Sequence, residues 1–213
     1  MTNDPKAIKQ QSEKTILDFG GEILEWLPVL DISTPKTIDD IIKRASTINA
    51  MIQLHFGAPK YIIADWICEN VGEDALTEIE YSILASKNEG LSDDENNYLY
   101  WEMESLWALV WAGELVDSIS FKHEVGQELA GLSPNLQLNE GIEKYTNNMR
   151  LRPYWELFSA LDLYYRLHWW QNNDYSQQKE MDLSFLCMVM ARRKALEWIM
   201  DDRVDWDYVD MSV

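Results

Sequence analysis

The sequence predicts an all-α protein, a single irregular domain of about seven to nine helices with little or no strand. Three observations predict it. Apolar residues recur at helical spacing along most of the chain, and no run keeps the period-two alternation that a half-buried strand requires. Capping-box patterns, a Ser or Thr followed three residues later by an acid, stand at three places where such apolar spacing begins.

Taken in order, residues 1–14 are polar and predict a frayed start. Ile16, Leu17, Ile23, Leu24, Trp26 and Leu27 then predict helix interrupted at Gly20-Gly21, and Pro28 with Ser33-Thr34-Pro35 predicts a loop. Thr37-Ile-Asp-Asp40 starts a helix to about His55, and Gly57 ends it. Pro59 opens the next, with Ile62, Ile63, Trp66 and Ile67 as its apolar stripe up to Gly72. Thr77-Glu-Ile-Glu80 leads a short helix, and Ser92-Asp-Asp-Glu95 leads a long aromatic one through Trp101, Leu106, Trp107, Val110 and Trp111. Residues 113–138 resist assignment, because Gly126, Gly131 and Pro134 break any long helix. A short helix is expected between Glu140 and Arg150. A central helix starts at Pro153 and ends at a polar break, Asn172 to Ser176, and a last one runs from about Glu180 to Met200. Residues 1–36 read as an N-terminal helical extension and 37–213 as the main domain.

The central helix combines an apolar face, Leu157, Leu161, Tyr164 and Tyr165, His168 and Trp169, with groups that are costly to bury alone. Asp162 and Arg166 are four apart with the acid first, the favourable order for a helix ion pair. Asp162 and His168 are six apart, about 240° around the helix, so this acid does not orient that imidazole. Arg192 and Arg193 follow the apolar run Leu183 to Met190 and must find carboxylates. Glu197 lies four residues beyond Arg193, and Glu104 is the preferred long-range partner. Glu104, Asp162, Tyr165, Arg166, His168, Arg192 and Arg193 therefore form either a buried polar network or an anion pocket. The arginine trio 166, 192 and 193 would suit a carboxylate or phosphate. Glu102 and Glu104 point about 200° apart on their helix and read as solvated or ion-paired. His55, His123 and His168 lie far apart in the chain with no His-Glu-x-x-His, and no phosphate-binding loop or nucleophile elbow appears. No catalytic residue, metal or cofactor is expected, and an enzymatic role is the lesser expectation.

Net charge is −19, from 18 bases and 37 acids, and it is unevenly placed. Between Tyr61 and Phe121 there are 14 acids and one base, Lys87, whereas Lys144 to Arg203 holds nine bases and eight acids. Such a field repels nucleic acid and attracts basic proteins. Glu73, Asp74, Glu78, Glu89, Asp93, Asp94 and Glu95 are the expected partner-binding surface. No run approaches the roughly 20 apolar residues of a membrane span. Cys68 and Cys187 read as small buried hydrophobes of a reducing compartment, which places the chain in the cytoplasm.

Lys43-Arg-Ala45, Leu76-Thr-Glu-Ile-Glu80, the run from Trp101 to Asp117, Leu161 to Trp169, Arg192 to Trp198 and Asp205-Trp-Asp207 together resemble successive motifs of one bacterial family, domain of unknown function 4272, over roughly residues 40–210. The resemblance implies a helical, cytoplasmic bacterial domain and brings no activity with it. Its recurring polar positions map onto Glu104, Asp162, Tyr165, Arg166, His168 and Arg193, and Glu102 departs from it, standing where a basic or aromatic residue is common. Lopsided charge without catalytic residues leads to the expectation of a non-catalytic protein-binding module, of the immunity or antitoxin type, that neutralises a basic toxin. A cofactor-free enzyme or small-anion sensor, and a homo-oligomeric scaffold, are the alternatives, and the oligomeric state stays open.

Overall fold

Three Ser/Thr hydroxyls fix three helix starts. In the computed structural model, which describes residues 2–88, 90–176 and 182–212, Thr37, Thr77 and Ser92 each accept from the N–H three residues on. Asp40, Glu80 and Glu95 reach back to the cap N–H groups. The helices are α1 (Pro5–Phe19), α2 (Ile38–Ile52), α3 (Lys60–Asn70), α4 (Glu78–Ala85), α5 (Asp93–Ala112), α6 (Glu128–Leu132), α7 (Glu143–Asn148), α8 (Tyr154–Ser176) and α9 (Leu183–Met200). Single 3₁₀ turns stand at Glu73–Ala75, Leu136–Leu138 and Trp206–Tyr208, and no strand occurs among the described residues.

The long helix α5 is the hub. It packs on α2 and α9, and α8 in turn packs on α9 and α1. Because α5 is covered on several sides, Leu99, Leu106, Leu109 and Val110 are buried together with Glu102 and Glu104, as a helix enclosed all round requires. The main core joins Ile8 and Ile16 of α1, Ile41 and Ile48 of α2, Leu106 to Ala112 of α5, Leu157 to Trp170 of α8 and Val189 to Met200 of α9. A smaller core gathers Met51, Leu54, Ile63, Trp66, Ile67, Ile83 and Leu99 under α3 and α4.

Several expectations are corrected. The start is helical from Pro5, because Asp4 caps it by accepting from Lys6 N. Helix does not resume after Gly20-Gly21: residues 22–36 run irregularly, and their carbonyls are taken by side chains of α1 and α8 instead of by a helical ladder. The polar residues 172–176 do not break α8, since single asparagines cost a packed helix only tenths of a kcal/mol. The expected start of the last helix at Glu180 lies outside the described residues. Cys68 is exposed and Cys187 half-buried, so neither is the buried hydrophobe expected.

Gly20 ends α1 in the left-handed region at φ 95°, with its N–H bonded to Leu17 O and that of Gly21 to Ile16 O. Gly21 is needed for a different reason. A Cβ there would stand 2.7 Å from Ile16 Cγ2 and 2.8 Å from Trp170 Cζ3, so the chain turns directly against the α8 indole. Gly21→Ala is expected to cost about 1–3 kcal/mol by overpacking. Urea unfolding measures it, and an unchanged midpoint would show that Trp170 moves aside freely.

Candidate functional site

Arg192 is 1% exposed, and five polar contacts, four of them hydrogen bonds, hold its guanidinium. Nε and Nη2 hold Glu104 Oε2 at 2.7 and 2.6 Å, Nη1 donates to Ser120 O and to Tyr164 Oη (3.0 Å), and Nη2 also reaches His123 O at 3.2 Å. The second oxygen of Glu104 accepts from Val125 N at 2.8 Å. The expected Glu104–Arg192 pair thus joins α5 to α9 and α8, and also fastens residues 120–125. Arg152 does the same further back, donating to Trp111 O and Val116 O. The stretch 113–127 is irregular because these side chains supply the bonds a helix would otherwise make. Burial pushes the Glu104 carboxyl upward against the pull of Arg192.

The rest of the expected network forms two separate groups. Asp162 holds Arg166 through both oxygens at 2.8 and 3.0 Å, and Arg166 Nη2 also donates to Pro28 O; Nη1 has no partner. Arg193 pairs with Glu197 at 3.1 Å, lies 4.9 Å from the centre of the Tyr165 ring, and donates from Nη1 to His168 Nδ1 at 2.7 Å. An arginine has no acceptor, so His168 is neutral, with its proton on Nε2. Arg166, Arg192 and Arg193 therefore each face a carboxylate of their own.

A further set of groups escaped the sequence reading. Arg44 of α2 is bound by Glu80 of α4 through both oxygens, and it also donates to Ala75 O at 3.3 Å. Lys194 lies 3.5 Å from Glu102, and burial raises the Glu102 carboxyl. Between these two cations sits Trp206, 4.8 Å from Arg44 on one contact and 4.8 Å from Lys194 on the other. The signal was present: Arg44 falls on the apolar stripe Ile41, Ala45, Ile48 and, like Arg192, had to find an acid. Beside Trp206 a cleft of about 550 Å³ opens between α2, residues 74–78 and the chain end. Asp40, Asp74, Glu78, Asp202, Asp205 and Asp207 line it. Its cations are engaged: Lys36 donates to Asp202 O and Val204 O, Lys43 bonds Asp74, and Arg44 belongs to Glu80. Three segments that carried the resemblance, at 43–45, 76–80 and 205–207, meet here.

The expected acidic surface is distributed. Glu73, Asp74 and Glu78 are exposed around this cleft, Asp93 and Asp94 are exposed at the start of α5, and Glu95 is half-buried as a capping residue. Glu89 lies outside the described residues. Among the described residues no three His, Cys, Asp or Glu gather closely enough to hold a metal ion.

Two predictions follow from these pairs. Glu104→Gln and Arg192→Met each should cost about 3–5 kcal/mol by leaving a buried partner behind. The double variant should stay close to either single one, because the Ser120 and His123 carbonyls remain without donors; a double-mutant cycle in urea that returned it to parental stability would refute this. The second concerns pH. Burial, and then the Arg193 charge, lower His168 from its ordinary 6.5 to about 4. Between those values the unfolded chain binds a proton that the folded chain refuses, so stability is full above 6.5 and falls as pH drops toward 4. His168→Gln keeps an acceptor for Arg193 and removes the titration. It should reduce the loss of stability between pH 7 and pH 4.5 by ~2 kcal/mol relative to the parent, and equal losses in both proteins would refute the assignment.

The model of the family described as domain of unknown function (DUF4272) matches residues 9–209, beginning inside α1 and not near residue 40. No curated protein and no solved structure matches. The family match spans nearly every element that builds the two cores and the ionic groups, and the chain belongs to the DUF4272 family.

Proposed function

We propose that the chain is a non-catalytic acidic binding module, of the immunity or antitoxin type, that neutralises a basic protein in a bacterial cytoplasm. The observation that carries this reading is where the bases are. Among the described residues seven bases are held in ion pairs whose two side chains are buried or partly so, by Glu13, Glu80, Glu102, Glu104, Glu156, Asp162 and Glu197. Each pair takes one acid with one base, so the 11 bases and 30 acids that remain carry the whole net charge of −19. The cleft beside Trp206 offers that field a shape. A lysine or arginine of a partner meets the carboxylates of Glu78, Asp205 and Asp207, with Tyr208 exposed at the rim. Such complementarity speeds encounter and weakens as salt rises.

The anion-sensor alternative draws on two buried donors without a hydrogen-bond partner among the described residues, Nη1 of Arg166 and Nε of Arg44, each on a guanidinium already held by a carboxylate. Among the described residues no helix is long and apolar enough to cross a membrane.

Tagged protein from the native host at low ionic strength should carry a basic partner in fixed ratio, released as salt is raised. Glu78→Lys with Asp205→Lys should release it at markedly lower salt, whereas Glu114→Lys with Asp117→Lys, outside the cleft, should not. Absence of a partner, or equal release from both variants, would sink the proposal.

A further inference from the structure

A second concavity lies on the other flank of Glu104, between α2, α5, α6 and residues 124–127, with a volume of about 720 Å³. That is the size of a small-molecule pocket. Ile52, Phe56, Met103 and Leu129 give it apolar walls, and Asn49, Gln53, Tyr100, Gln127, Ser133 and Gln137 add neutral polar groups. Among the described residues that line it, Glu104 and Glu124 are the carboxylates, and there is no base. The two are not equivalent. Glu104 is matched by Arg192 behind it, with both oxygens engaged. Among the described residues Glu124 has no cation: Oε2 accepts from Tyr100 Oη at 3.0 Å, which fixes the carboxylate, and no donor to Oε1 is found. Deeper in, Asn49 is 2% exposed and lines the same cavity. Its amide N–H donates to Pro134 O at 2.9 Å, and no donor to its carbonyl oxygen is found among the described residues.

We infer that this cavity binds a small amphipathic amine, with its ammonium group on Glu124, its apolar body against Ile52, Met103 and Leu129, and a donor toward the Asn49 carbonyl. A carboxylate or phosphate is excluded by charge, since it would meet two carboxylates and no free cation. A purely apolar molecule would leave Glu124 and Asn49 desolvated without compensation. The site is separate from the cleft at Trp206 and does not rest on the protein-binding proposal.

The test uses the full chain with phenethylamine as probe, and with N-acetylphenethylamine and phenylacetate as the neutral and anionic matches of the same shape. Phenethylamine should raise the melting temperature in a concentration-dependent way, shift the Met103 methyl resonance, and bind at least about tenfold more weakly to Glu124→Gln. Met103→Trp, which fills the cavity, should abolish binding. Should that variant fail to fold, the half-buried Glu124→Gln comparison and the methyl shift decide alone. The inference is overturned if phenethylamine has no effect at millimolar concentration. It is overturned equally if either match binds as well, or if Glu124→Gln binds as tightly as the parent.

Discussion

A buried guanidinium must satisfy one charge and five N–H groups at once, and most of this fold follows from how its arginines do so. A single carboxylate supplies the charge and takes two or three of the donors; the rest must find carbonyls. Helix carbonyls are already bonded, so the free ones belong to irregular chain. Arg192 takes its charge from Glu104 and then holds Ser120 and His123. Arg166 uses Asp162 and then Pro28, Arg44 uses Glu80 and then Ala75, and Arg152 uses Glu156 and then Val116. Arg44, Arg166 and Arg192 stand on helices and Arg152 just before α8, and each fastens irregular chain or a single 3₁₀ turn. The irregular stretches are ordered by helix side chains.

This arrangement explains why α5 carries two acids on opposite sides. A helix at the centre of a bundle presents every face to protein, so Glu102 and Glu104, some 200° apart, are both enclosed. Each must therefore have its own cation, and α9 supplies both from positions two apart, Arg192 and Lys194. The same spacing that prevents the two acids from sharing one ion makes them a pair of fasteners between the two helices.

Local signals were legible in the sequence where the chemistry is local. The three capping boxes place α2, α4 and α5 because cap and partner are three residues apart, and the Asp162–Arg166 and Arg193–Glu197 pairs follow from helical spacing. Glu104 was found for Arg192 because an arginine in an apolar run demands an acid. The same logic applied to Arg44 would have found Glu80. Residues 22–36 and 113–127 were not legible, because they are bonded by side chains far off in the chain, from 18 residues away at Lys9 to 138 at Arg166. No local pattern encodes such a bond. The asparagines near residue 172 misled in the opposite direction: a weak local preference yields to a helix already packed on two neighbours.

Buried ion pairs of this kind contribute little net stability, since removing two charges from water offsets much of their attraction. Apolar replacements would pack the helices as well. They would not hold Ser120, His123, Pro28 or Ala75, and the irregular walls of the Trp206 cleft and of the Glu124 cavity would lose their fixed shape. The pairs therefore act on specificity, and they carry a consequence for the exterior. Each base drawn inward to fasten a loop takes one acid with it, so the exterior keeps the whole net charge of −19 however many segments are fastened.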